Sequence, residues 1–212
     1  LLSQERASRL SEVALEHSGA DATEVAVTAC VQELNRFTGD HPVQNVVRSA
    51  ARLSVRVHEG GRQGKASTGT LTDEAVKQTV ERARAVARLA PAPPEELSPM
   101  PGPQQFRLRG EGPLEPDPDA TARAVRTVVD ACREKECEVA GVHDAVSMLR
   151  LLRNSNGLAV CDYDNHAEIS VSAFQRDGAG WSGQIAGQAS GLDSRQAAGR
   201  AAEKALASRD PQ

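Results

Sequence analysis

Leu53, Val55 and Val57 alternate with Arg52, Ser54, Arg56 and His58, the period of two required by a strand with one covered and one wet face. The same alternation runs through Val25, Val27, Ala29 and Val31, and again through Ala167, Ile169, Val171 and Ala173. Further strands are predicted at Leu34 to Thr38, Val43 to Val47, Gln63 to Gly69, Glu138 to Arg153, Leu158 to Tyr163 and Trp181 to Gln188. Gly39-Asp40-His41-Pro42, Glu59-Gly60-Gly61-Arg62, Asn154-Ser155-Asn156-Gly157 and Asp177-Gly178 punctuate them as turns. Helical spacing takes over at Leu10, Val13 and Ala14, within a helix from Gln4 to His17 that Gly19 ends. Thr72 caps a second helix with a stripe of Val76, Val80, Ala83 and Ala87. Asp119 is expected to cap a third, facing inward through Val125, Val128, Val129 and Cys132. Asp193, with Gln196 three residues on, caps a fourth whose inner face is Ala198, Ala201, Ala205 and Leu206.

These elements predict an α+β fold of two consecutive units, each with antiparallel or mixed strands flanked by helices. Residues 1–91 form an amino-terminal domain and residues 119–212 a second, central one. Between them, residues 92–118 form a Pro-rich linker; Pro91 to Pro118 holds nine prolines, too many for a continuous helix or a central strand. The two halves share one order of elements, which suggests a duplicated unit; convergence of two ordinary α+β units explains the order equally well.

Composition narrows the functions open to such a chain. Only 2% of the residues are aromatic, so the core is built from Ala, Val and Leu and base-stacking platforms are scarce. The net charge of -4 gives no general attraction to phosphate, so nucleic acid is not an expected partner. No run approaches the roughly 18 apolar residues that span a bilayer, so a membrane is not expected either and a cytoplasmic protein is the default. The chain starts at Leu1 rather than Met, so a lost leader would be invisible. Cys30, Cys132, Cys137 and Cys161 lack C-x-x-C spacing and read as reduced, mostly buried thiols.

Several short patterns invite chemistry. His58-Glu59 opens like a zinc-peptidase helix, but Arg62 and Gln63 stand where a second histidine belongs, and the segment reads as a strand end. Gly60 to Lys65 resembles a phosphate loop with Glu59 and Ala66 at two of its required positions, so a hairpin is the better reading. Asp162, Asp164 and His166 would share one face of an uninterrupted strand, against the plainer reading of a polar strand edge. Cys132 and Cys137 are too weakly spaced for a metal or redox pair. Trp181 reads as a core or interface anchor, and Arg48, Arg52, Arg56, Arg62 and Lys65 as a solvated basic face with an anionic partner as the sharper alternative.

One set of segments is more specific. Asn35-Arg36-Phe37-Thr38, Gln44-Asn45-Val46, Leu53 to Val57, Gly60 to Thr68 and the Thr72 to Val76 helix start ending at Ala90-Pro91 resemble the amino-terminal domain of the TldD/PmbA family, also called modulator of gyrase proteins. Arg153-Asn154-Ser155-Asn156-Gly157-Leu158 and Ser170-Val171-Ser172-Ala173 are similar to the family's central domain. The resemblance implies the non-catalytic amino-terminal portion of a metallopeptidase subunit that shapes a substrate channel and a subunit interface for unfolded or peptide substrates. It implies a homo- or hetero-oligomer with a related subunit. It also implies zinc held by an H-E-x-x-x-H motif in a third, carboxy-terminal domain; none of the five histidines here forms such a pair, so no cofactor is expected in this chain. The alternative is a stand-alone peptide-binding or scaffold module without peptidase activity, and the reading frame after Gln212 distinguishes the two. Asn35, Arg36, Gln44 and Asn45, dense in polar groups beside the Gly39 turn, are the candidate substrate- or interface-facing residues.

Overall fold

The computed structural model describes residues 2–91, 93–95, 97–104 and 112–209. Its elements run α1 (Gln4–Ser18), β1 (Ala22–Thr38), β2 (His41–Glu59), β3 (Arg62–Thr68), α2 (Asp73–Leu89), then α3 (Pro118–Arg133), β4 (Glu138–Asn154), β5 (Ala159–Gln175), β6 (Gly178–Ala186) and α4 (Ser194–Ala207). A short 3-10 turn at Ala189–Gly191 precedes α4. Each half therefore supplies helix, three strands, helix, the repeated order that the sequence suggests. The strands form a six-stranded sheet in the order β3-β2-β1-β4-β5-β6. β2 pairs antiparallel with β3, and β5 with β6. The α+β class read from the sequence is the class observed.

The strands are longer than their hydrophobic runs. β1 joins two expected strands into one of 17 residues, and β2 runs for 19 residues from His41 through the Arg52 to His58 stretch. β5 likewise joins two expected strands. Polar residues at inward positions, such as Glu33 and Asn35 in β1, interrupt the apolar pattern without interrupting the backbone. The third helix begins two residues earlier than expected: Asp117, not Asp119, is the cap, its Oδ1 accepting from Ala120 N at 2.8 Å, with Pro118 at the first position where its missing N–H costs nothing.

By packing, the chain divides into two compact units that interleave along the sequence: Leu1–Cys30, Ser49–Pro113 and Met148–Asp164 in one, Val31–Arg48, Leu114–Ser147 and Asn165–Gln212 in the other. The expected division at the Pro-rich segment follows sequence order; the packing division follows the long strands, four of which contribute to both units. Residues 92, 96 and 105–111 of that segment, and 210–212 of the expected central domain, lie outside the described residues.

In the first unit α1 and α2 cover the inward face formed by Val25, Val27, Ala29, Leu53, Val55, Val57, Leu149 and Leu151. Full burial of each Val or Leu contributes about 1.5–3 kcal/mol. Gly64 on β3 lies directly beneath α2, where a Cβ would collide with the Ala83 carbonyl and the Ala87 backbone. Part of the Pro-rich segment is pinned here. Asn154 Nδ2 donates to the Pro101 carbonyl and Asn156 Nδ2 to the Met100 carbonyl, both at 2.8 Å, while Asn154 Oδ1 accepts from Asn156 N and Leu158 N to hold the hairpin turn.

In the second unit α3 and α4 cover Phe37, Val139, Ile169, Val171 and Ala173. The inner face of α4 is alanine (Ala197, Ala198, Ala201, Ala202, Ala205), and Gly178 and Gly180 on β6 let its backbone come close. A light core thus gains density by short approach rather than by large side chains. Trp181 is not part of that core: it is 58% exposed, its Nε1 donating to Ser170 Oγ at 2.8 Å, because it stands on the opposite side of β6 from Gly180 and Ser182.

Candidate functional site

A cavity of about 390 Å³ opens in the second unit, walled by β1, β4, the start of β5, the segment 114–117 with the first turns of α3, and residues 188–190. Glu33 reaches it because odd-numbered residues of β1 face inward from Thr23 to Phe37, and Glu33 falls in that series. His143 and Ser147 arrive by the same parity in β4. Glu33 is 2% exposed and His143 1%.

Two of these side chains hold the chain that enters α3. Leu114 N donates to Ser147 Oγ at 3.0 Å, and Asp117 N donates to Glu33 Oε2 at 3.0 Å. Glu33 thereby puts negative charge beside the helix N-terminus, where the macrodipole favours it. Ser147 donates its own proton to Asn165 Oδ1 at 2.8 Å, so it is not arranged as a nucleophile on His143. Glu33 Oε1 and His143 Nδ1 are buried without a hydrogen-bond partner. Burial holds the His143 pKa below the ordinary histidine value, against the opposing pull of Glu33 and Asp144, so the imidazole is neutral at physiological pH. Apolar Val31, Leu114, Ala120, Ala145 and Val146 complete the walls. The arrangement is that of a binding pocket: a carboxylate and an imidazole among walls that mix apolar and polar side chains. The signal for it was the parity of Glu33 and His143 in otherwise apolar strands.

The residues singled out from the sequence are distributed differently. Asn35 turns inward at 6% exposure, with Oδ1 unpartnered, whereas Arg36 is exposed on the other side of β1. Gln44 is half-buried and Asn45 exposed, both within β2 rather than in a loop. Adjacent strand residues face opposite ways, so neither neighbouring pair acts as one cluster. Beside Gln44 and Asn45, the outer edge of β2 is bare: β3 pairs only with Leu53 to Glu59, leaving His41 to Arg48 without an outer strand among the described residues. Val43 and Val47 there are 67% and 50% exposed.

The remaining motifs resolve into structure. Glu59 is held by Arg84 and Arg88, His58 Nε2 lies 3.3 Å from Gln63 Oε1, and Gly60 N donates to Asp21 Oδ2 at 2.7 Å, so the glycine segment is a hairpin whose amide is already taken. Arg56 pairs with Glu24 at 2.9 Å, Arg52 donates to Ser67, and Arg62 to the Arg88 carbonyl. Asp164 pairs with Arg150 at 3.1 Å. Cys132 and Cys137 are buried free thiols, and Cys30 and Cys161 half-buried ones. Zinc needs three or four such ligands around one point; among the described residues no three His, Cys, Asp or Glu side chains gather in that way, so the residues present do not fit a zinc site. No described helix is long and apolar enough to cross a membrane.

Residues 111–209 match the PmbA/TldA metallopeptidase central domain. The fold is similar to that of TldE from Thermococcus kodakarensis, with a TM-score of 0.81 at 22% identity over 95% of this chain and 47% of that one. It is also similar to two proteins described as modulators of DNA gyrase. The one from Thermotoga maritima has a TM-score of 0.68 at 16% identity, covering 96% of this chain and 47% of that one. The one from Bacteroides thetaiotaomicron has a TM-score of 0.73 at 15% identity, covering 97% and 50%. The chain spans about half the length of these solved structures. No curated protein matches it. The family match is confined to residues 111–209, and the likeness to the solved structures is one of fold.

Proposed function

We propose that this chain is the non-catalytic, amino-terminal portion of a TldD/PmbA-type metallopeptidase subunit, lining the substrate channel and a subunit interface. It holds unfolded or peptide-like polypeptide, while zinc and hydrolysis belong to a carboxy-terminal domain carrying H-E-x-x-x-H. It works in the cytoplasm, in an oligomer with itself or a related subunit. The central-domain match of residues 111–209 and the half-length coverage of the structural neighbours support this reading.

The observation that carries it is the bare outer edge of β2 from His41 to Arg48. An extended polypeptide adds to such an edge through main-chain hydrogen bonds and is sequence-tolerant for that reason. Exposed Val43 and Val47 give it side chains to pack on. In this reading Arg36, Gln44 and Asn45, with buried Asn35, are the polar residues that serve this surface. The test is hydrogen exchange with and without reduced, unfolded casein. Protection confined to the amides of β2 before Leu53 is expected; unchanged exchange there with casein bound would overturn the edge as the holding site.

A further inference from the structure

The cavity beneath α3 asks for a ligand that the peptide-holding reading does not supply. An unmade hydrogen bond on a buried polar group costs about 1–3 kcal/mol, and native proteins keep few of them. Here two, Glu33 Oε1 and His143 Nδ1, belong to residues that line one cavity. Oε1 is an acceptor with no donor, so the group that completes it carries N–H or O–H.

Charge narrows the choice further. Three carboxylates, Glu33, Glu115 and Asp117, line the cavity against one guanidinium, Arg123. The backbone N–H of Asp117 takes only one oxygen of Glu33. A buried carboxylate of this kind is best completed by a charged donor, since charge-assisted hydrogen bonds are roughly twice as strong as neutral ones. Val31, Leu114, Pro116, Ala120, Ala145 and Val146 among the walls suit a hydrocarbon body. We propose that the cavity is a binding site for an organic ammonium group on a short apolar body, its N–H donated to Glu33 Oε1. The same chemistry is offered by a free alkylamine and by a lysyl side chain of a peptide.

The experiment uses the full chain, isotopically labelled, and follows its methyl and amide resonances on addition of hexylammonium chloride, of Nα-acetyl-lysine methylamide, and of hexanol as the neutral counterpart. Saturable shifts confined to Ala120, Ala145, Val146 and their neighbours with hexylammonium, and much weaker ones with hexanol, are expected. A response to acetyl-lysine methylamide as well identifies a site open to peptide side chains; a response to hexylammonium alone identifies a small-amine site. Glu33→Gln is expected to weaken binding about ten- to a hundredfold, the worth of one hydrogen bond to a charged group. Equal binding of hexanol and hexylammonium, no response of the wild-type cavity at millimolar amine, or full affinity in a folded Glu33→Gln variant would each overturn the proposal. Should that variant not fold, the wild-type mapping and the hexanol comparison decide alone. Failure of the casein test would leave this result standing, because the two probe different surfaces.

Discussion

Arg84 grips Glu59 at two points, Nε to Oε2 at 2.9 Å and Nη2 to Oε1 at 3.1 Å, and so ties the end of β2 to the middle of α2. Arg88 adds a second guanidinium at 2.9 Å. Hydrogen bonds from Arg84 first and Arg88 second draw the Glu59 pKa from 4.5 down to about 2. A folded-state pKa below the unfolded one stabilises fully above the unfolded value and is lost as pH falls through the folded one. Acid denaturation should therefore steepen between pH 4.5 and about 2, and Arg84→Met should make that segment shallower. His143 acts earlier. Its depressed pKa lets the unfolded chain take up a proton that the folded one refuses, so stability begins to fall as pH drops below 6.5. Melting temperatures from pH 8 to 2 check both windows; a variant with wild-type slope below pH 4.5 would contradict the role of Arg84.

Two glycines separate close approach from backbone freedom. Gly64→Ala puts a methyl into the backbone of α2 and should cost about 1–3 kcal/mol or more, since the obstacle is main chain and not a movable side chain. Gly61, at φ 71, has open space around the same position, so Gly61→Ala should cost only the left-handed strain of about 1–2 kcal/mol. Gly180→Ala should resemble Gly64→Ala, because Ala201 and Ala205 of α4 stand against it. Urea titrations that rank Gly61→Ala as the most damaging of the three would refute this packing.

Leu149 is fully buried among the β1, β2 and helix residues of the first unit. Leu149→Ala is expected to lower unfolding free energy by about 2–5 kcal/mol, the range for a deleted core leucine. A loss under one kcal/mol in the same titration would mean that the site collapses or that the core lies elsewhere.

Cys132 is the thiol furthest from reaction. Desolvation, with Cys137 nearby as the lesser cause, pushes it up to about 11 from 9.0. The unfolded thiol ionises first as pH rises, so this group withdraws stability between pH 9 and about 11. Timed iodoacetamide labelling of the folded protein at pH 8 should modify half-buried Cys30 well before Cys132. Labelling of Cys132 at the rate of Cys30 would show that the α3 end is open.

Much of this architecture was legible because local rules and burial agree. The alternation of Leu53, Val55 and Val57, the Thr72 and Asp193 caps and the Asn154 to Gly157 turn each state one structure in several ways at once. Strand length was legible for β4 but not for β1, where Glu33 at an inward position looks like a break in an apolar run. Pro42 adds to that impression, yet a proline is tolerated on an edge strand, where its missing N–H faces no partner. The interleaving of the two packing units was hidden for a related reason: β1, β2 and β5, of 17 to 19 residues, each run through what read as two separate strands. The cavity was not legible because Glu33 and His143 meet only when β1 and β4 are brought to one pocket, which the parity of either strand alone does not announce.

Whether this chain holds polypeptide without cleaving it is decided by incubating it with fluorescently labelled unfolded casein and added zinc. Anisotropy, fragment release and bound metal after dialysis are then measured on the same sample. Saturable binding with intact casein and no stoichiometric zinc is the predicted result. Near-stoichiometric zinc with casein turnover that a chelator abolishes would contradict it.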